Sequence, residues 1–128
     1  MHLEHVAYNV PAPAAAAEWY SQNLGMTVPR KFGPPANGHF LASGREQVML
    51  EFYNNSKVKV PDYHALDPLV LHIAFAVEDV AAVRTRLLGV GATPVGEIST
   101  NDDGDTLAML RDPWGIPLQL VKRAKPMI

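Results

Sequence analysis

The feature that most constrains the fold of this chain is an internal duplication. Residues 3–10 (LEHVAYNV) and residues 70–77 (VLHIAFAV) share an alternation of side-chain character, and each has a histidine in third place. These histidines, His5 and His72, are 67 residues apart. Alternation of this kind is typical of β-strands with one buried face. The sequence is therefore predicted to contain two copies of one module.

The two modules also end alike. Glu51, in VMLEFY, and Gln119, in PLQLV, are 68 residues apart, and each falls in the last predicted strand of its module. Two imidazoles and two side-chain oxygens form a ligand set that suits a divalent transition metal, whether nickel, cobalt, zinc, manganese or iron. The duplication therefore predicts a metal site made of His5, Glu51, His72 and Gln119.

Periodicity and turn signals predict the order β-α-β-β-β in each module. Prolines precede a helix predicted over residues 14–24, and Gly25 suits the position just after it. Asp79 is a suitable N-cap for a second helix that runs to Leu88. Strands are predicted over residues 2–10, 26–31, 39–43, 47–53, 70–77, 93–98, 106–111 and 116–122.

The fold class that follows is α+β. We predict a single domain of 128 residues, made of module 1–53 and module 69–123 and joined by the polar, proline-containing linker 54–68. In each strand that carries a candidate ligand, one face is apolar and can pack under a helix. The polar faces would then line two curved mixed sheets around a shared cleft.

Composition excludes several classes of partner. The formal net charge is −2, and lysine and arginine form no basic stripe, so nothing favours nucleic acid. The absence of cysteine excludes disulfides and thiolate metal sites. No signal peptide precedes the first strand, and no apolar run approaches the ~20 residues of a membrane span. We therefore expect a cytoplasmic protein that acts on a small molecule, without a membrane partner.

Five segments, in their order along the chain, resemble the vicinal oxygen chelate superfamily of glyoxalases, bleomycin-resistance proteins and dioxygenases. They are LEHVAYNV, EWYSQNLGM, VMLEFYNN, LHIAFAVEDV and GDTLAMLRDPWGIPLQLV. The resemblance covers nearly the whole chain and is closest to bacterial glyoxalase I, a lactoylglutathione lyase. It implies a homodimer and puts the family's metal ligands at His5, Glu51, His72 and Gln119, although a glutamate is usual at the fourth position.

The resemblance implies a metal-dependent lyase or isomerase that moves a proton through a metal-stabilised enediolate on a small carbonyl or thiol-adduct substrate. Glu51 would be a metal ligand and also the general base, because the neutral amide of Gln119 cannot usefully accept a proton. Asn9, Tyr53 and Asn55 would line the substrate pocket, unless they are simply polar residues on a wet face. Asn9 replaces a usual arginine, and the loss of that carboxylate donor weakens the case for glutathione as the thiol.

A different class of function stays open. Gln119 and Asn9 favour a metal-free protein that binds small molecules, as bleomycin-resistance proteins do, whereas His5, Glu51 and His72 favour an enzyme. Extradiol dioxygenases and fosfomycin-type transferases take a carboxylate ligand from the final strand, where this chain has Gln119, so neither is favoured. Epimerisation shares the enolate chemistry and is not excluded.

Overall fold

Each half of the chain folds around its own four-stranded sheet. The computed structural model describes residues 1–44 and 48–127, which form two units, Met1–Pro61 and Asp62–Ile128. The boundary between them falls within segment 54–68. Both units follow the order β-α-β-β-β, so the predicted α+β class with tandem βαβββ modules is confirmed.

The elements of each unit are as follows. The first unit contains β1 (His5–Asn9), α1 (Pro13–Leu24), β2 (Thr27–Lys31), β3 (His39–Ala42) and β4 (Met49–Tyr53). In the second unit a short 3-10 helix (Tyr63–Ala65) precedes β5 (Ile73–Ala76), α2 (Val80–Leu88), β6 (Thr93–Thr100), β7 (Thr106–Arg111) and β8 (Pro117–Lys122).

The two sheets have the same topology and the same register. Their strand orders are β1-β4-β3-β2 and β5-β8-β7-β6, with the first strand parallel to the last and the other neighbours antiparallel. In the first sheet Ala7 is opposite Glu51, and in the second Ala74 is opposite Gln119. Because side chains opposite each other share one face of a sheet, Glu51 and Gln119 occupy equivalent positions.

Both helices carry the start and stop residues that the sequence predicts. Pro13 lies in the first turn of α1, where its missing N–H would have no helical partner. Gly25 ends this helix with a φ of 69°, which glycine adopts at little cost. Asp79 Oδ1 caps α2 by accepting from the backbone N–H of Ala82 at 2.9 Å. Within residues 1–44 and 48–127, no helix is long and apolar enough to cross a membrane.

The hydrophobic core of each unit lies between its helix and one face of its sheet. In the first unit Tyr20 of α1 packs edge-on against Phe52 of β4, with ring centroids 4.8 Å apart, and both are fully buried. In the second unit Leu87 of α2 and Leu118 and Leu120 of β8 are fully buried. The helix therefore covers one face of each sheet, and the other face carries the polar candidates of the first and last strands.

The first strand of each module, β1 or β5, starts later than predicted. β1 and β5 each begin three residues late, at His5 and Ile73, so His72 directly precedes its strand. A turn explains the start of β5. Asp67 accepts hydrogen bonds through its side chain and its carbonyl from the N–H groups two and three residues on, at 2.8 and 2.9 Å. These backbone donors are used by the turn and not by the sheet.

The other boundaries agree with prediction within two residues. β6 continues to Thr100, two residues past its predicted end, and α1 begins one residue early, at Pro13. The predicted start of β4 at Gln47 lies outside the described residues.

The second part of segment 54–68 is packed into the second unit. Tyr63 is buried, with 5% of its surface exposed. The guanidinium of Arg111 donates to the carbonyl oxygens of Tyr63 and Leu66 at 2.9 and 2.7 Å. Arg111 therefore fixes the short 3-10 helix and the chain that leads from it towards His72.

Candidate functional site

A histidine and a glutamate face each other in the first unit, on the side of the sheet away from α1. His5 Nε2 lies 3.6 Å from Glu51 Oε2. The two side chains are 35% and 20% exposed, so the pair is mostly shielded but accessible to a small molecule. The contact follows from the parallel pairing of β1 with β4, which sets Glu51 opposite Ala7, two residues after His5.

The imidazole of His5 is oriented by two neighbours. Its Nδ1 lies 3.0 Å from Glu4 Oε1, and its ring meets the ring of Phe40 edge-on, with centroids 5.3 Å apart. An ionised carboxylate can only accept a hydrogen bond, so the proton of a neutral imidazole lies on Nδ1. The lone pair of His5 Nε2 is then directed to the Glu51 side.

His5 Nε2 and Glu51 Oε2 are both acceptors and face each other, so a cation between them would be favourable. The 3.6 Å gap is too long for a hydrogen bond. Atoms that bind one metal ion at about 2.1 Å each are roughly 3.0 to 3.4 Å apart at right-angled to tetrahedral geometry. The chemistry and the spacing of His5 and Glu51 therefore fit two ligands of a divalent metal, with a slight closure on binding.

The histidine of the second unit is oriented in the same way. His72 is half-buried, and its Nδ1 lies 2.8 Å from the carbonyl oxygen of Pro68. A carbonyl can only accept, so Nδ1 carries the proton and Nε2 keeps its lone pair. Metal-binding histidines characteristically donate their second ring N–H to a carbonyl or carboxylate. Both His5 and His72 make this kind of contact.

Gln119 lies half-buried in β8, on the same sheet face as Ala74. It borders a hollow of about 240 Å³ together with residues of β6 and β7, including Val95 and Met109. Its amide oxygen can bind a metal ion, but its neutral side chain cannot take up a proton at neutral pH. Gln119 can therefore act as a ligand or a hydrogen-bonding group, not as a base.

The structure brings some of the predicted ligands together. His5 and Glu51 meet in the first unit, and Gln119 lies on the strand next to the one that His72 precedes in the second. Taken by itself, neither unit has among its described residues a group of three or more His, Cys, Asp or Glu that could hold a metal ion. The complete set of four ligands stays a prediction.

Two of the three predicted substrate-binding residues, Asn9 and Asn55, are hydrogen-bonded to each other, and the third, Tyr53, lies beside Asn9. Asn9 is buried, and its Oδ1 accepts from the backbone N–H of Asn55 at 2.9 Å, while its Nδ2 donates to the Asn55 carbonyl at 3.5 Å. Tyr53 is opposite Asn9 on the same sheet face and is half-buried. Asn9 therefore joins the end of β1 to the chain after β4, and a substrate role for the three residues stays a prediction.

Three neighbours of the His5–Glu51 pair were not predicted from the sequence. Glu4 contacts His5 although the two residues are adjacent in the chain. Adjacent residues of a strand point to opposite faces, so the alternation did not indicate this contact. Phe40 is opposite Glu51 in β3, and only the register shows this. A Cβ at Gly38 would lie 3.4 Å from Glu51 Oε1, so this glycine leaves room beside the carboxylate.

Tyr8 and Asp105 have shifted pKa values. Burial raises the pKa of the Tyr8 phenol above its usual 10.0. In the second unit, the backbone N–H of Ala124 and the guanidinium of Arg123 hold the pKa of Asp105 below its usual 3.8. Their donor–acceptor distances are 2.9 and 2.7 Å. Asp105 thereby ties the chain after β8 to the turn before β7.

These features define a protein of two βαβββ modules, each with an oriented histidine at its first strand and a side-chain oxygen donor on its last. A model of the Glyoxalase/Bleomycin resistance protein/Dioxygenase superfamily matches residues 2–120, and the chain belongs to this superfamily. The resemblance seen in the sequence is thus confirmed. No similar sequence was found among curated proteins.

Solved structures share this fold over nearly the whole chain. The protein SMU.1112c is 29% identical, with a TM-score of 0.74 over 95% of this chain and 98% of its own. An E144Q mutant of glyoxalase I from Zea mays is 24% identical, with a TM-score of 0.76 over 97% of this chain and 46% of its own. TnmS3, an antibiotic binding protein from Streptomyces sp. CB03234, is 18% identical, with a TM-score of 0.72 over 97% of both chains. The last two similarities are evidence of fold alone.

Proposed function

We propose that the protein is a metal-dependent lyase or isomerase of the glyoxalase I type that acts on a small carbonyl or thiol-adduct substrate. The observation that carries the proposal is the pair of His5 Nε2 and Glu51 Oε2, 3.6 Å apart on the open face of the first sheet. The Nδ1–H contact of His72 with Pro68 supports it, because this contact leaves Nε2 available for a metal.

The candidate residues would have two roles, metal binding and proton transfer. His5, Glu51, His72 and Gln119 would hold the divalent cation. The bound cation would supply Lewis-acid stabilisation of negative charge on the substrate oxygens. Glu51 would take a proton from one substrate carbon and return it to the neighbouring carbon. Gln119 cannot share this task, so the proposed mechanism has a single base.

Metal content and turnover test this proposal directly. Purified protein would be analysed for nickel, cobalt, zinc, manganese and iron, and then assayed with the hemithioacetals that methylglyoxal forms with glutathione and other small thiols. We expect a stoichiometric metal that is lost in the His5→Ala/His72→Ala variant, and turnover that Glu51→Gln abolishes. Glu18→Gln, on the exposed side of α1, is the matched control. Full activity of Glu51→Gln would remove Glu51 from the mechanism.

A second candidate is a metal-free protein that binds a small molecule. The fold is shared with TnmS3, an antibiotic binding protein, and the amide at position 119 provides no second carboxylate. No bound metal after loading, together with no turnover for any thiol tested, would favour this candidate. It would also make the four matched positions a remnant of an ancestral site.

We further propose that the protein is a homodimer. Most soluble oligomers are symmetric homo-oligomers, of which dimers are the commonest, and the family resemblance of the sequence implies the same. Sedimentation equilibrium should give twice the 14.0 kDa of the chain. A mass of one chain across the accessible concentration range would contradict the proposal.

A further inference from the structure

The two candidate metal-binding histidines take their Nδ1 partners from different kinds of group. His5 Nδ1 contacts the side chain of Glu4, the residue next to it, at 3.0 Å. His72 Nδ1–H donates to the backbone carbonyl of Pro68 at 2.8 Å, and this carbonyl lies ahead of β5, outside the sheet. Such a carbonyl stays directed at the imidazole only if the chain around it is held in place. The orientation of His72 therefore depends on the groups that fix this segment of chain.

One side chain joins this segment to the sheet. Arg111, on β7, donates from Nη1 to the carbonyl oxygen of Tyr63 at 2.9 Å and from Nη2 to that of Leu66 at 2.7 Å. Its Nη1 also donates to the carbonyl oxygen of Gly115, between β7 and β8, at 3.2 Å. Hydrogen bonds from an ionised donor are stronger than those between neutral groups. The guanidinium thus holds the chain at Leu66, close to Pro68.

A turn extends this restraint from Leu66 to Pro68. Asp67 accepts hydrogen bonds from the N–H groups of Leu69 and Val70 at 2.8 and 2.9 Å. Pro68 lies within the turn, and its own ring restricts its φ. Little freedom is therefore left in the chain between the carbonyl that the guanidinium binds and the carbonyl that the histidine contacts.

Alanine occupies the position of Arg111 in the first module. Arg111 is paired with the residue of β8 that lies two before Gln119. The corresponding residue of β3, paired with the residue two before Glu51, is Ala42. Alanine has no side-chain donor, so it cannot hold a neighbouring segment in this way. His5 accordingly takes its partner from the adjacent residue of its own strand segment.

We propose that Arg111 is a positioning residue for the candidate metal site. By holding the chain at Leu66, it keeps the Pro68 carbonyl where it accepts the hydrogen bond from His72 Nδ1–H. The lone pair of His72 Nε2 then stays available to a metal ion. The inference rests on the proposed function in one respect, that His72 is a metal ligand, but the tautomer of His72 can be measured without metal.

NMR of the imidazole nitrogens tests the inference on the metal-free full chain at about pH 8, where a free histidine side chain is neutral. We expect the ring proton of His72 on Nδ1 in the unmodified protein. Arg111→Met keeps a long side chain but removes every donor, so His72 should become a mixture of both tautomers. His5 should be unchanged, because its partner is local. Arg86→Met removes an exposed arginine of α2 and, as the matched control, should leave both histidines unchanged.

Metal affinity is a second readout. Isothermal titration with nickel should show a loss of about tenfold or more in Arg111→Met. Arg111→Lys keeps the charge but has a single donor nitrogen, so its affinity should lie between those of Arg111→Met and the unmodified protein. Failure of all these proteins to bind nickel would contradict the proposed function and not this inference, which the tautomer of His72 decides.

Arg111→Lys also covers the case in which Arg111→Met does not fold. A loss of stability alone would lower the thermal unfolding midpoint but leave the tautomer of the folded molecules unchanged. A His72 proton that stays on Nδ1 in every folded Arg111 variant would therefore overturn the inference. An equal change of tautomer at His5 and His72 would overturn it as well, because Arg111 would then have no specific effect on His72.

Discussion

Gly115 packs so closely against His64 that no side chain fits between them. A Cβ at position 115 would lie 2.6 Å from the imidazole Cδ2 and 2.7 Å from the backbone nitrogen of His64. Gly115 also has a φ of 91°, a conformation that other residues rarely adopt. This contact and the hydrogen bonds of Arg111 hold the 3-10 helix that leads towards Pro68 and His72.

Gly115→Ala should therefore destabilise the protein strongly. The strained backbone and the clash with the imidazole and the backbone nitrogen of His64 together should lower the free energy of unfolding by at least about 2 kcal/mol. Gly33→Ala is the control, because a Cβ there meets nothing within 4 Å. Urea denaturation measures both variants. Equal stability of Gly115→Ala and Gly33→Ala would show that this packing is not tight in solution.

Glu4→Ala should weaken metal binding without removing a ligand. Glu4 accepts a hydrogen bond from His5 Nδ1–H, and loss of such a partner commonly costs about 10 to 100-fold in metal affinity. Glu4→Gln keeps an acceptor oxygen and should retain most of the affinity. Isothermal titration with nickel or zinc measures the change, with Glu18→Ala as the control for a lost surface charge. Unchanged affinity in Glu4→Ala would mean that another group orients the imidazole.

Gln119→Glu should increase the affinity for a divalent metal. A carboxylate in place of the amide adds a negative charge to the proposed ligand set, and about 1.4 kcal/mol of extra attraction is enough for a tenfold gain. Gln119→Met removes the oxygen donor while keeping a similar volume, so it should bind metal no better than the unmodified protein. The same titration ranks the three proteins. Identical affinities would place Gln119 outside the metal site.

Asp105→Asn should lower stability in a pH-dependent way. Because the folded protein holds the Asp105 pKa below its usual 3.8, this carboxylate stabilises the fold fully above that pH. Its contribution is lost as the pH falls through the folded-state pKa. The thermal unfolding midpoint of Asp105→Asn should thus lie below that of the unmodified protein at pH 7. The difference should shrink below about pH 4; a constant difference down to pH 3 would contradict this origin.

The sequence predicted the structural features that depend on periodicity. It did not predict those that depend on strand register and on turns. The alternation around His5 and around His72 was sufficient to place both histidines at equivalent positions of the two modules, at or directly before the first strand. It could not show that the Asp67 turn uses the backbone groups ahead of β5.

The burial of Asn9 was likewise not predictable. Alternation placed this residue on the polar face of β1, which suggested an accessible side chain. Its burial depends on hydrogen bonds with the backbone of Asn55, 46 residues further along the chain. Pairings at such a distance are determined by tertiary structure and leave no local pattern in the sequence.

The parallel pairing of β1 with β4 gives the His5–Glu51 contact a further meaning for folding. The two residues are 46 positions apart, and α1, β2 and β3 all lie between them in the chain. Their contact closes a long loop and so lowers the conformational entropy of the chain. The contacts of the intervening elements offset this loss only once those elements have formed. A ligand bound by this pair would therefore slow the unfolding of the entire first module.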